Sequence, residues 1–224
     1  MASARAKGRG IGVLMLVQMA SGLILSFVWM DAVRKGYPSF LETAAASGTI
    51  VRAGVAAGVL GAGLTLAIGI AMFRVLEGRS RPLAILFVAV CAVSAALDLV
   101  HGATVLSMLS AGEQYTAAAG ADTALYHSWG IAAASLRRST HIVQLIGIGA
   151  WIFVLYYSLL RYRLVPRPIA LLGIAGILSQ FTGVTLMMFL GTSPITYLAM
   201  PLAPIHALAA IWIIVRGLPV PSSQ

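Results

Sequence analysis

Charge is what this chain has least of. Of its 224 residues only 9% are charged, against about a quarter in a soluble globular domain, so a fold solvated by water on all sides is excluded. Acidic residues are scarcest: 6 Asp and Glu stand against 15 Lys and Arg, a net charge of +9. The basic residues lie between apolar stretches and at the amino terminus, with no basic run interleaved with aromatics. The charge is therefore a matter of membrane topology, and no nucleic-acid partner is called for. Cys91, the single cysteine, lies inside an apolar run, which excludes an intrachain disulfide, a CxxC redox pair and a cysteine-rich metal cage. Lysine is nearly missing too. Neither Lys7 nor Lys35 falls within an apolar run, so a retinal Schiff base has no anchor. The H-E-x-x-H, G-x-S-x-G and phosphate-cradling G-x-x-x-x-G-K-[ST] patterns do not occur.

What the chain has in abundance is apolar residues, 60% of the total, with a mean hydropathy of +0.95. Runs of about 20 such residues are long enough to cross a bilayer as helices. Six are found, over residues 10–30, 50–73, 82–106, 141–160, 168–190 and 194–215. They are continuous rather than alternating, which favours helices over a barrel. The expected fold is all-α: one polytopic helical bundle over residues 1–224. The first run is preceded by Arg5, Lys7 and Arg9, as in a secretory signal, but it exceeds the about 7 to 15 apolar residues of a signal core and reads as a retained helix.

Orientation follows from the basic residues. With the amino terminus inside, the inner side carries Arg5, Lys7, Arg9, Arg74, Arg79, Arg81, Arg161, Arg163, Arg167 and Arg216, and the outer side Arg34, Lys35, Arg52, Arg137 and Arg138. That bias places both termini in the cytoplasm. Two outer connections exceed a turn, 31–49 and 107–140. The second has an Ala-rich stretch, 123–136, suited to a short interfacial helix.

An ionisable residue within a span is a functional candidate by default. Asp98 and His101, three apart in the third span, share a helix face and are expected to touch. His206 follows Pro201 and Pro204 in the last span, where two prolines kink or unwind the helix and free carbonyl groups. Gln144 and Gln180 lie at comparable depth, while Arg137, Arg138 and His141 sit at the outer end of the fourth span. Together these outline an outward-facing polar pocket whose cationic mouth suits an anionic headgroup or carboxylate.

The leading reading is a protein that binds, and as a further step transports, a small or lipid-like molecule among Asp98, His101, Arg137, Arg138, His141, Gln144, Gln180 and His206. Membrane lipids are its surroundings, and a homodimer or a membrane-complex partner is compatible with it. The alternative is a membrane-embedded enzyme on a lipophilic substrate, with Asp98, His101 and His206 as acid–base candidates or with His101, His141 and His206 around a metal. An accessory subunit of a larger complex is a third reading. No cofactor is called for, although haem between two histidines is compatible with the composition.

The second half carries a family resemblance. Residues 155–168 (LYYSLLRYRLVPRP), 173–176 (GIAG), 200–204 (MPLAP) and 210–217 (AIWIIVRG) resemble a widespread bacterial family of six-span proteins catalogued only as a domain of unknown function. The resemblance implies architecture and no activity. Members of that family often carry a glutamate before a glycine in the third span and another after the proline of the last. Here those places correspond to His101, which precedes Gly102, and His206. The exchange of two carboxylates for two imidazoles would favour one shared site.

Overall fold

The computed structural model describes residues 2–24, 39–118, 123–191 and 195–218. Among them it is all-helical, with α1 Ala2–Ile24, α2 Ser39–Ala46, α3 Gly48–Leu76, α4 Arg81–Ala117, α5 Thr123–Arg161, α6 Arg167–Leu190, α7 Ile195–Ala199 and α8 Leu202–Arg216. Five helical stretches are long and apolar enough to cross a membrane: α3, α4, residues 124–161 of α5, α6, and Tyr197–Arg216 across the α7–α8 junction. The stretch 8–23 of α1 is apolar but shorter. Leu60, Phe189, Leu190 and Val215 on these helices are more than half exposed, the distribution expected where lipid rather than water covers the outer faces.

The segment 107–140, read as a connection with a short helix over 123–136, is helical over more of its length than that. α4 continues to Ala117 and α5 starts at Thr123, while 119–122 lie outside the described residues. Hydropathy falls beyond residue 106, but helix propensity does not, because the segment is rich in Ala and holds no proline. A hydropathy window detects the part that prefers lipid and misses the rest of the same helix. In the shorter connection, 39–46 forms α2, and 31–38 lie outside the described residues.

Contacts divide the chain into two compact units. The first comprises Met1–Met19, Gly63–Ala95 and Leu145–Gln224. Trp151, Tyr156, Phe87, Ile68, Met72 and Leu76 are among its fully buried side chains, and α6 packs on α7 and α8. Gly173 of α6 is required by this packing, since a Cβ there would overlap the Tyr156 ring. The missing side chain is the space into which the tyrosine ring is set.

Where α5 ends, Leu164 N donates to the Leu159 carbonyl at 2.9 Å and Arg163 N to the Leu160 carbonyl at 3.2 Å. These are the paired bonds of a Schellman motif, with Arg163 at a φ of 51° where glycine is usual. Pro166 then begins α6 as its N-cap. The last span is interrupted at its prolines: α7 stops at Ala199, Pro201 caps α8, and Pro204 falls in its first turn, where the N–H it lacks would have had no intrahelical acceptor.

The second unit comprises Ala20–Ala62 and Ala96–Gln144. Phe40, Leu41, Val51, Val55, Val105, Met108, Leu109 and Ala111 form its core. A forked ion pair, Arg52 Nη2 to Glu113 Oε1 and Oε2 at 2.8 and 3.0 Å, joins α3 to α4. Arg52, read from sequence as a cation at the outer end of its span, thus has a carboxylate partner.

Candidate functional site

On α4 the polar residues Asp98, His101 and Thr104 recur every three positions. On α5 Arg137, Thr140, His141 and Gln144 stand at i, i+3, i+4 and i+7. Each spacing keeps the side chains on one helix face, so each helix carries a polar stripe there. All seven residues belong to the second unit.

The stripes meet through named bonds. Gln144 Nε2 donates to Asp98 Oδ1 at 2.8 Å, and Gln144 Oε1 lies 2.9 Å from His141 Nδ1. His101 Nδ1 is 3.5 Å from Thr140 Oγ1, which is itself 3.1 Å from Thr104 Oγ1. Each threonine hydroxyl also donates back along its own helix, Thr104 to the His101 carbonyl at 2.8 Å and Thr140 to the Arg137 carbonyl at 3.0 Å. The two imidazoles lie side by side, ring centroids 5.0 Å apart and planes tilted by 36°. Arg137 is within electrostatic range of both, and its Nε is buried without a hydrogen-bond partner.

Of the residues singled out from sequence, Asp98, His101, Arg137, His141 and Gln144 are thereby gathered, while Arg138 is exposed. The bond expected between Asp98 and His101 is replaced by one from Asp98 to Gln144, across to the other helix. Thr104 and Thr140 are members that the sequence reading passed over. Their signal was positional: Thr104 continues the three-residue spacing of Asp98 and His101, and Thr140 directly precedes His141.

Gln180 and His206 belong to the first unit. Gln180 Nε2 donates to the Leu145 carbonyl at 3.2 Å, a bond from α6 to α5 that satisfies a buried amide. His206, 4% exposed, has Nδ1 at 3.3 Å from the Tyr156 hydroxyl and stands edge-on to the Tyr156 and Trp151 rings. His206 Nε2 and Trp151 Nε1 are buried without a hydrogen-bond partner. Neither aromatic partner was legible in sequence, because Trp151 and Tyr156 are two of many large residues in an apolar run.

Among the described residues no three or more His, Cys, Asp and Glu side chains form a group able to hold a metal ion, so the alternative trio of His101, His141 and His206 is not found as a ligand set. The His101 and His141 rings are also too close for a porphyrin to lie between them as axial ligands. What the stripe offers is hydrogen-bond acceptors, one carboxylate and one guanidinium.

No curated protein and no solved structure matches this chain. The family model described as "Domain of unknown function (DUF4386)" matches residues 11–217, nearly the whole sequence, and the chain belongs to that family.

Proposed function

We propose that this protein crosses the bacterial inner membrane six times, with both termini on the cytoplasmic side, and that it binds a small or lipid-like molecule at an outward-facing polar site between helices. One observation carries the reading: Asp98, His101 and Thr104 on α4 face Arg137, Thr140, His141 and Gln144 on α5 in two helices long and apolar enough to cross a membrane. Polar groups in a membrane helix are costly and are retained where they meet a ligand, an ion path or one another. Here Arg137 Nε is left without a protein partner, so the stripe is not satisfied by its own members. The first helix supplies the sixth span in this reading, and the basic inner connections supply the orientation.

The test is to extract the protein with its surrounding lipid and identify what stays bound by native mass spectrometry. The wild type is compared with Asp98→Leu and with the His101→Leu, His141→Leu double variant. A molecule held by the wild type and lost from both variants is expected. If the wild type and the variants carry the same bulk lipid and nothing else, the binding reading fails. Uptake by vesicles containing the pure protein then separates binding from transport.

A second reading, an enzyme acting on a lipophilic substrate, draws on the Asp98, Gln144 and His141 chain. It resembles the way a base is oriented by a second polar group and held in turn by a third. Turnover of a bound lipid by the purified protein, abolished by His141→Gln, would make this reading primary.

A further inference from the structure

The protons of the α4–α5 stripe can be counted, and the count says what kind of group its ligand must carry. A carboxylate oxygen of Asp98 accepts, so the Gln144 group 2.8 Å away is its NH2, and the amide oxygen faces His141. An amide oxygen only accepts. His141 therefore carries a proton on Nδ1, and its Nε2 presents a lone pair because the ring is neutral beside the Arg137 cation. At His101 the two threonine hydroxyls supply two protons to four contacts: the His101 and Arg137 carbonyls, the contact between the hydroxyls, and the contact to His101 Nδ1. Most bonds form when Nδ1 itself brings a proton to Thr140. His101 then also carries its proton on Nδ1 and a lone pair on Nε2. Among the described residues neither Nε2 has a protein hydrogen-bond partner.

Two lone pairs thus stand on neighbouring rings, beside a guanidinium whose Nε has no partner. A metal cation would meet the Arg137 charge. A bare anion would meet the two lone pairs. A ligand that satisfies all three carries an anionic group for Arg137 and hydroxyl donors next to it for the imidazoles. Leu99 and Val100 on α4 and Leu136 and Val143 on α5 flank the stripe and are exposed, so acyl chains attached to such a group would lie against apolar side chains. We propose that the stripe binds a phosphate bearing adjacent free hydroxyls, the chemistry of a phosphoglycerol headgroup, with the phosphate on Arg137 and the hydroxyls on Nε2 of His101 and His141. The proposal rests on the binding reading above and names its ligand class.

The experiment places the full-length protein in nanodiscs of phosphatidylethanolamine and adds phosphatidylglycerol or phosphatidylmethanol. The second has the same charge and no hydroxyls. Lipid retention is read by native mass spectrometry and thermal stability in parallel, and soluble glycerol phosphate is added as competitor. The expected result is retention of phosphatidylglycerol over phosphatidylmethanol by about tenfold, the value of one buried hydrogen bond. That preference should be lost in His101→Phe and in His141→Phe. Binding of both anionic lipids should fall in Arg137→Gln and persist in Arg81→Gln, which removes an equal charge elsewhere. Competition by glycerol phosphate would show that a free molecule can fill the site, and its failure that the lipid is the source. Either result supports the proposal.

Equal retention of the two anionic lipids by the wild type overturns it without need of any variant. So does a wild type that holds a different molecule, lacking phosphate or hydroxyls, and loses it on substitution of His101 and His141; the binding reading survives that result. A protein that retains nothing and is stabilised by no added lipid overturns both.

Discussion

Gln144 and Asp98 form the closest link between the two polar stripes, an amide on α5 donating to a carboxylate on α4 at 2.8 Å. Because the other end of the same amide meets His141, a change at Asp98 is felt two residues away. Replacing Asp98 with Asn supplies a donor of its own. Gln144 is then free to turn over, and the proton of His141 is no longer fixed on Nδ1.

Asp98→Leu and Gln144→Leu are each expected to destabilise the protein, and the pair to show coupling of about 0.6 to 2 kcal/mol, the range for hydrogen bonds between membrane helices. A double-mutant cycle in detergent unfolding measures it. Additive effects would mean that the bond contributes nothing, and that the imidazole on the far side of the amide is oriented by something else.

Gly173 is expected to tolerate no side chain. A methyl group there would overlap the Tyr156 ring, so Gly173→Ala should cost about 1 to 3 kcal/mol and displace the tyrosine from His206. Tyr156→Phe keeps the ring and removes only the hydroxyl, leaving both nitrogens of His206 without a partner, at a cost of about 1 kcal/mol. Thermal unfolding of the two variants side by side distinguishes them. Equal loss from both would mean that the hydroxyl, and not the close approach, is what Gly173 protects.

Arg163 holds a left-handed backbone that costs an L-residue about 1 kcal/mol. Arg163→Gly is expected to stabilise the fold by up to about 1 kcal/mol, reduced by the larger entropy of glycine in the unfolded chain. A lower unfolding temperature would show instead that the arginine side chain contributes more than its backbone loses.

Cys91, fully buried and the one cysteine of the sequence, makes topology directly testable. In a Cys91→Ala background, Gln114→Cys and Glu77→Cys place thiols at exposed positions in the connections read as outer and inner. An impermeant maleimide applied to intact cells stripped of their outer membrane should label the first and not the second. The reverse pattern would invert the proposed orientation, and labelling of both would mean that α4 does not cross the membrane.

Composition by itself determined that this chain is helical and meant for lipid. With so few charges and apolar runs that are long and continuous rather than alternating, helices satisfy the backbone where water is missing, and five of the six runs coincide with helices of spanning length. The same hydropathy argument failed over 107–140, because lipid preference ends before helix propensity does. Sequence also marked Asp98, His101, Arg137, His141 and Gln144, since a polar group in an apolar helix is costly wherever it points. It did not assign partners. Spacing along one helix suggested that Asp98 would reach His101, yet a side chain in a packed pair bonds to whatever the facing helix presents, and α5 presents Gln144. The meeting of the two stripes, the two imidazoles side by side and the tyrosine set into the space above Gly173 depend on how helices are rotated about their own axes. That rotation is decided by packing, which a one-dimensional pattern does not contain.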